Sequence, residues 1–261
     1  MYRQLARAGW RRYSVYPAAT LAGLFTNVVF GVLRTYVLLA VVRGRVAVGG
    51  YTASDFVTYA WLTQGLMMTV YLFTWTDLAL RIRSGDVAID LVRPIDVQFA
   101  GLAGDFGRAA YHALLRGVPP VVVGVVVFEL ALPGNPLVWP TFVVSVALAV
   151  LVSYAFRFLY NLVAFWLLDH RGIGFISSLA VNFFSGFVIP THLFPAWLRT
   201  FANATPFPAM IQTPIDIFVG TASGARLALL VLAQAGWAVV LLAAGKAVFS
   251  FGTRKTVFQG G

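Results

Sequence analysis

Long apolar stretches separated by short polar ones organise this chain. They run roughly over Ala18–Val42, Phe56–Leu80, Ala109–Leu132, Val138–Val163, Gly172–Ile189 and Ala225–Phe249. A helix needs about 20 apolar residues to cross a hydrocarbon core about 30 Å thick, because each residue adds about 1.5 Å. The pattern therefore predicts an all-α polytopic membrane protein with six transmembrane helices. The fifth run is the shortest, about 18 residues or roughly 27 Å of helix. An even number of spans puts both ends of the chain on one side of the membrane.

Two stretches depart from simple spans. In "MYRQLARAGWRRYSV", Tyr2, Leu5, Ala6, Trp10 and Tyr13 share one helical face, and Arg3, Arg7 and Arg11 lie opposite. This pattern predicts an interfacial helix over residues 1–15, with arginines toward lipid phosphates. After the fifth run comes "FFSGFVIPTHLFPAWLRTFANATPFPAMIQTPIDIFVG", apolar but punctuated by Pro190, Pro195, Pro206, Pro208 and Pro214. Proline removes donors and breaks helices. Broken backbone at membrane depth survives only against protein or a wet cavity. A re-entrant, partly helical hairpin on the external side is expected over 190–220. No internal repeat is visible, which weakens an inverted-repeat secondary transporter.

Composition sharpens this picture. The chain is 60% hydrophobic and 11% charged, against about 45–50% and about 25% for globular proteins. Its net charge of +10 does not point to nucleic acid, because the arginines sit between apolar runs and form no single basic domain. Fourteen of the nineteen Lys and Arg fall on the segments that share a side with the termini; four fall opposite, and Arg34 lies within the first span. Basic loops stay cytoplasmic, so the termini should be cytoplasmic. The first apolar run is too long for a signal-peptide core, and no A-x-A site follows. Without cysteine there are neither disulfides nor thiolate metal sites.

The scarce charges crowd into "RIRSGDVAIDLVRPID", residues 81–96, between the second and third spans. Ser84 can cap a helix start, Asp86 suits the positive end of its dipole, and Pro94 stops it. The expected product is a helix of about two turns over Gly85–Val92, with Val87 and Leu91 on one face and Asp86 and Asp90 on another. Two readings stay open: an amphipathic helix that inserts into a groove on another protein, or a solvated loop with local ion pairs.

Catalytic chemistry is absent. His112, His170 and His192 lack metal-ligand spacing. Gly245–Lys246 is followed by Ala247, so a P-loop is missing. "GTASG" lacks the spacing of a serine-nucleophile turn around Ser223. Charges within the spans remain. Arg108, His112 and Arg116 form an i, i+4, i+8 basic stripe that either snorkels to lipid phosphates or attracts an anionic cargo. Pro119 and Pro120 should kink the helix above it. Arg157 shares a face with Asn161 and should pair with Asp77. Arg34, about 12 Å below the outer end of span one, either pairs with Glu129 or lines the route. Arg34, Arg116 and Arg157 are the candidate route residues. Trp139 and Trp197 read as interface anchors.

"RSGDVAIDLVRPID" followed by a third span resembles the cytoplasmic segment of type-2 ABC transporter permeases. "SGFVIPTHLFPAWLRTFANATPFPAMIQTPIDIFVG" is similar to their signature before the last span: Gly186 and Pro190, then Phe194-Pro195-x-Trp-Leu, then Pro206-Phe and a closing Gly. "GTRKTVFQGG" resembles the ending of the drug-export subgroup. The resemblance spans essentially the whole chain and implies one permease domain over 1–261. It implies a second permease, different or identical, and P-loop ATPase subunits that hold ATP and Mg. This chain itself would carry no cofactor and would not be an enzyme. Arg83, Asp86, Val87, Asp90, Leu91 and Arg93 would couple to the ATPase, and Arg3, Arg7, Trp10 and Arg11 would mark the interfacial helix. The expected function is outward movement of a hydrophobic or amphiphilic compound across a bacterial cytoplasmic membrane. A channel or secondary transporter independent of an ATPase is the alternative.

Overall fold

The computed structural model describes residues 1–167 and 171–255. Its elements are α1 (Tyr2–Ser14), α2 (Pro17–Val42), α3 (Ala53–Leu66), α4 (Asp77–Ser84), α5 (Val87–Leu91) and α6 (Val97–His112). They continue with α7 (Val118–Phe128), α8 (Val138–Asn161), α9 (Arg171–Phe184), α10 (Ala196–Asn203), α11 (Gln212–Val219) and α12 (Gly224–Lys255). Among the described residues the architecture is all-helical, with one isolated bridge between Val48 and Tyr51.

Four continuous helical stretches are long and apolar enough to cross a membrane: Pro17–Val42, Val97–Phe128, Val138–Phe165 and Gly224–Arg254. The other two expected spans correspond to α3, prolonged by a π turn over Met67–Tyr71, and to the shorter α9. Every residue of α3 from Phe56 to Leu66 is buried. This helix forms the bundle's centre and tolerates Thr58, Thr63 and Gln64 because protein surrounds it.

Local chemistry explains most ends. Pro17 opens α2, where its missing N–H costs nothing. Thr52 and Asp55 make a reciprocal capping box at α3, with Asp55 N donating to Thr52 Oγ1 at 3.3 Å and Thr52 N to Asp55 Oδ2 at 2.8 Å. Asp96 caps α6 by accepting from Phe99 N at 3.0 Å. The expected proline kink is a π turn over Ala113–Gly117. Pro119 and Pro120 cannot donate to the preceding turn, so the ladder widens before α7 begins.

Several boundaries differ from the sequence expectation. The second span does not run to Leu80: it stops at Tyr71, whose φ of 65° reverses the chain before α4. The third begins at Val97 rather than Ala109. The helix expected over Gly85–Val92 with Ser84 as its cap is instead two pieces. Ser84 ends α4, Gly85 takes the left-handed φ of 82° that closes it, and α5 spans only Val87–Leu91.

Glycines set how closely the helices approach. A Cβ on Gly65 would meet Gly117 O at 3.0 Å, and one on Gly117 would meet Gly65 O at 2.9 Å, so the α3 backbone rests on the π turn. Between apolar helices in lipid such small-residue contacts replace the hydrophobic drive of water. Polar side chains fasten the rest. Ser145 Oγ donates to Gln234 Oε1 at 2.8 Å, and Gln234 Nε2 donates to Ala209 O at 2.7 Å, tying α12 to α8 and to the chain entering α11.

The helix α1 packs its apolar face along α6. It runs along α6 in the same direction, with Trp10 edge-on to Tyr111 and Tyr13 edge-on to His112. A Cβ on Gly9 would sit 2.0 Å from Gly104 O, and one on Gly107 would sit 1.8 Å from Ala6 O. Leu5, Ala6, Trp10 and Tyr13 of the apolar face are half-buried there, while Tyr2, Arg3, Arg7 and Arg11 stay exposed.

Candidate functional site

The basic end of the bundle gathers α1, α4, α5, the start of α6 and the ends of α8 and α12; Lys246 Nζ lies 3.6 Å from Asp96 Oδ2 across the last of these junctions. Its charged segment is a small folded unit. Val87 and Asp90 are buried, and Asp90 is flanked by Arg81 and by Arg93, whose Nη1 is 3.5 Å from Asp90 Oδ1. Ser84 Oγ donates to Asp86 Oδ2 at 2.6 Å, bracing the turn at Gly85. Arg83 is exposed. Val87 therefore belongs to the core and not to the docking face proposed with Leu91. The outward apolar face is Ile89, Leu91 and Val92, which are 55%, 39% and 83% exposed.

Deeper in, α6 and α8 bring together a second set of charges. Arg108 Nε donates to Asp105 Oδ1 at 2.7 Å, and Arg157 Nη2 donates to Asp105 Oδ2 at 2.8 Å. Arg108 also donates to Met68 O at 2.5 Å and Thr69 O at 3.0 Å, carbonyls loosened by the π turn after α3. The Tyr71 ring lies against both guanidiniums, 4.9 Å from each, a cation–π arrangement that gains from exclusion of water. Asn161 completes the cluster: its Oδ1 accepts from Ala79 N at 2.9 Å, and its Nδ2 donates to Trp75 O at 2.8 Å. Tyr160 Oη also donates to Trp75 O at 2.8 Å. The link from α3 to α4 is thus held by α8.

These contacts correct several expectations. Arg157 pairs with Asp105 and not with Asp77; Asp77 lies 3.3 Å from Arg12. Of the proposed basic stripe, Arg108 turns inward instead of snorkelling. His112 is buried against Tyr13 and Tyr111, and Arg116 packs against Gly23 of α2. The π turn shifts the register within the supposed i, i+4, i+8 row. Arg34 does not pair with Glu129: it donates to Phe187 O and Val188 O and lies 5.0 Å over the Phe187 ring. Asp105 was missed although it stands three residues before Arg108, the spacing of a helical ion pair. His170 and residues 256–261, part of the basic ending, lie outside the described residues.

Between these two sets of charges lies a cavity of about 640 Å³. Its walls carry Leu5 and Tyr13 of α1, Trp75 just before α4, Leu78 of α4, Ala100 of α6, and Tyr154 and Phe158 of α8, while both aspartate–arginine groups line its ends.

The far end is polar but compact. The segment expected to be re-entrant folds into the short helices α10 and α11 after a turn at Gly186, whose φ is 89°. Pro190 is buried, Phe194 stacks on Phe183 at 5.1 Å, Pro195 caps α10, and Pro206 lies in the turn that leads toward α11. Tyr59 Oη is 2.7 Å from Gly186 O and 2.9 Å from Gln212 Oε1. Gln212 Nε2 donates to Asp216 Oδ1 at 2.8 Å, and His192 Nε2 stands 3.0 Å from the same oxygen. Tyr51 donates to Asp216 as well; burial and then the nearby carboxylate push its phenol far above the ordinary range. Trp139 packs edge-on to Phe218 at 5.4 Å, and Trp197 is exposed.

No group of His, Asp and Glu among the described residues has the arrangement of a metal site. No curated protein and no solved structure matches the chain significantly. One family does: ABC-2 family transporter protein, over residues 28–260. Members are membrane transport components that usually work with an ATPase partner. The matched region runs from within α2 through α12 and includes both charged groups, the far-end helices and every wall of the cavity but that of α1; the chain belongs to the ABC-2 transporter family.

Proposed function

We propose that this chain is the permease subunit of an ATP-driven exporter that moves a hydrophobic or amphiphilic compound outward across a bacterial cytoplasmic membrane. Six spans cross the bilayer: the four long helical stretches, the buried α3 and the short α9. The basic end faces the cytoplasm, where positive loops are retained. The segment 190–220 returns into the outer part of the bundle. P-loop ATPase subunits supply ATP hydrolysis with their own ATP and Mg, and a second, different permease completes the translocation route.

One observation carries this reading. Ile89, Leu91 and Val92 present an apolar face on an otherwise charged end, on a segment braced by Asp90, Arg81 and Arg93. A partner that covers this face pushes on α4, and Asn161 and Tyr160 pass the displacement to α8 through Ala79 and Trp75. Charges inside the bundle are held in separate local groups: the Asp105 cluster, Arg116 against α2, Arg34 on Phe187 and Val188, and Asp216 with His192. No ion pair among the described residues joins one group to the next, which favours a driven permease over a charge-relay secondary transporter.

Purification in mild detergent from the native membrane tests this. A P-loop ATPase and a second six-span protein should co-purify. Val92→Asp together with Ile89→Asp should lose the ATPase while the chain still inserts. Undiminished ATPase recovery with that variant would remove the coupling assignment.

A further inference from the structure

We propose that the cavity between α1, α4, α6 and α8 is a binding site for an anion-headed amphiphile, a molecule with one carboxylate or phosphate and a flat or chain-like apolar body. Its identification as cargo rests on the exporter reading; its existence as a site does not. A volume of about 640 Å³ falls in the range of about 300–1,000 Å³ typical of small-molecule sites.

Charge favours an anion. Arg12, Arg81, Arg93, Arg108 and Arg157 line the cavity against Asp77, Asp90 and Asp105, a formal surplus of two positive charges. Donor saturation places the head group. Arg108 is already spent on Asp105, Met68 O and Thr69 O, and Arg157 on Asp105 and Ser153. Arg81 and Arg93 instead share one carboxylate and are 45% and 61% exposed. Guanidinium N–H groups left over at this pole match carboxylate or phosphate geometry. The apolar body then lies along Trp75, Tyr154 and Phe158, toward the inner cluster whose extra guanidinium adds attraction. Tyr71, a non-glycine residue at φ 65°, sits at that inner wall. Such backbone is held only where its surroundings over-determine it, and it recurs at ligand clamps. The anion has two possible sources, an inner-leaflet lipid or the transported compound.

The test uses the full chain with its co-purifying subunits in nanodiscs of phosphatidylcholine. The probe is a dansyl-labelled undecanoic acid, with its neutral methyl ester as control. Saturable binding is expected, about ten-fold or more tighter for the acid than for the ester, as a charge-assisted contact implies. Arg81→Gln with Arg93→Gln should remove that preference, and Ala100→Phe, which projects a ring into the cavity without touching a charge, should abolish binding of both probes. Displacement of the acid by phosphatidylglycerol in the disc assigns the site to lipid. Failure of phosphatidylglycerol to displace it, together with ATP-dependent movement of the probe, assigns the site to cargo. Equal binding of acid and ester, or undiminished binding by Ala100→Phe, overturns the proposal. So does binding that appears only after the ATPase has been stripped away, which would make the cavity a socket for that subunit. Recovery of the ATPase is scored separately, so failure of the exporter reading is not confused with failure of the site.

Discussion

The basic end holds two clusters of the same composition, one aspartate between two arginines, and they differ only in where the fold puts them. Around Asp105 the side chains of Asp105, Arg108 and Arg157 are 8%, 6% and 5% exposed. Around Asp90, Arg81 and Arg93 are 45% and 61% exposed, although the carboxylate itself is nearly covered. In the inner cluster the charges are almost fully covered, so the members depend on one another and on Tyr71, Met68 O and Thr69 O. In the outer cluster water screens each pair, and the guanidiniums remain open to other molecules. The same chemistry is architecture in one place and an interaction surface in the other.

Breaking the inner cluster should have the largest effect. Asp105→Ala leaves two buried guanidiniums without their counter-charge and should lower stability by about 3–5 kcal/mol, visible as a lost or strongly depressed melting transition of the detergent-solubilised chain. A transition unchanged from wild type would show that water already reaches Arg108 and Arg157. Next comes Arg157→Lys, which keeps the charge but loses the fork to Asp105 and the faces toward Tyr71 and Trp75. A cost of about 1–3 kcal/mol is expected in the same assay.

The outer cluster should respond differently. Asp90→Ala should cost about 1 kcal/mol or less in stability, because its partners can turn to solvent, yet it should reduce ATPase recovery by loosening α5 against α4. A variant that melts like wild type and retains its partner would remove the segment's proposed role. Smallest of all is Arg12→Gln, which deletes the exposed contact with Asp77. Melting should not change measurably, and 0.5 M salt should abolish any difference that does appear.

Several features of both regions were legible in sequence. The crowding of charge into 81–96 marked the outer cluster, and Pro94 announced its end, while the turn at Gly85 fell inside the helix expected over Gly85–Val92. Its facing was not legible: Val87 and Leu91 share an i, i+4 row, but a five-residue helix docked on α4 buries the first and exposes the second. Of the inner cluster, Arg108 was visible in the row with His112 and Arg116, and Arg157 beside Asn161. Asp105 escaped because the third span was started at Ala109, where hydropathy rises, whereas the helix already begins at Asp96 with a side-chain cap. The amphipathic face of α1 was legible, but its packing on α6 was not, since periodicity does not reveal the glycine-lined surface that α6 offers it. At the far end the prolines announced broken helix, while the meeting of Tyr51, His192, Gln212 and Asp216 spans more than 160 residues of chain.

What the sequence by itself determined is what a single segment expresses: long apolar helices, an arginine-faced amphipathic helix at the start, a basic end, and proline-broken chain before the last helix. Each follows from composition and periodicity over a few turns. Which carboxylate meets which guanidinium was decided only in three dimensions. Pairing across helices depends on their rotation and register, and here these are set by two π turns and by glycines that let backbones touch. A shift of one residue in either turn would rotate a helix by about 100° and assign Arg108 and Arg157 to different partners.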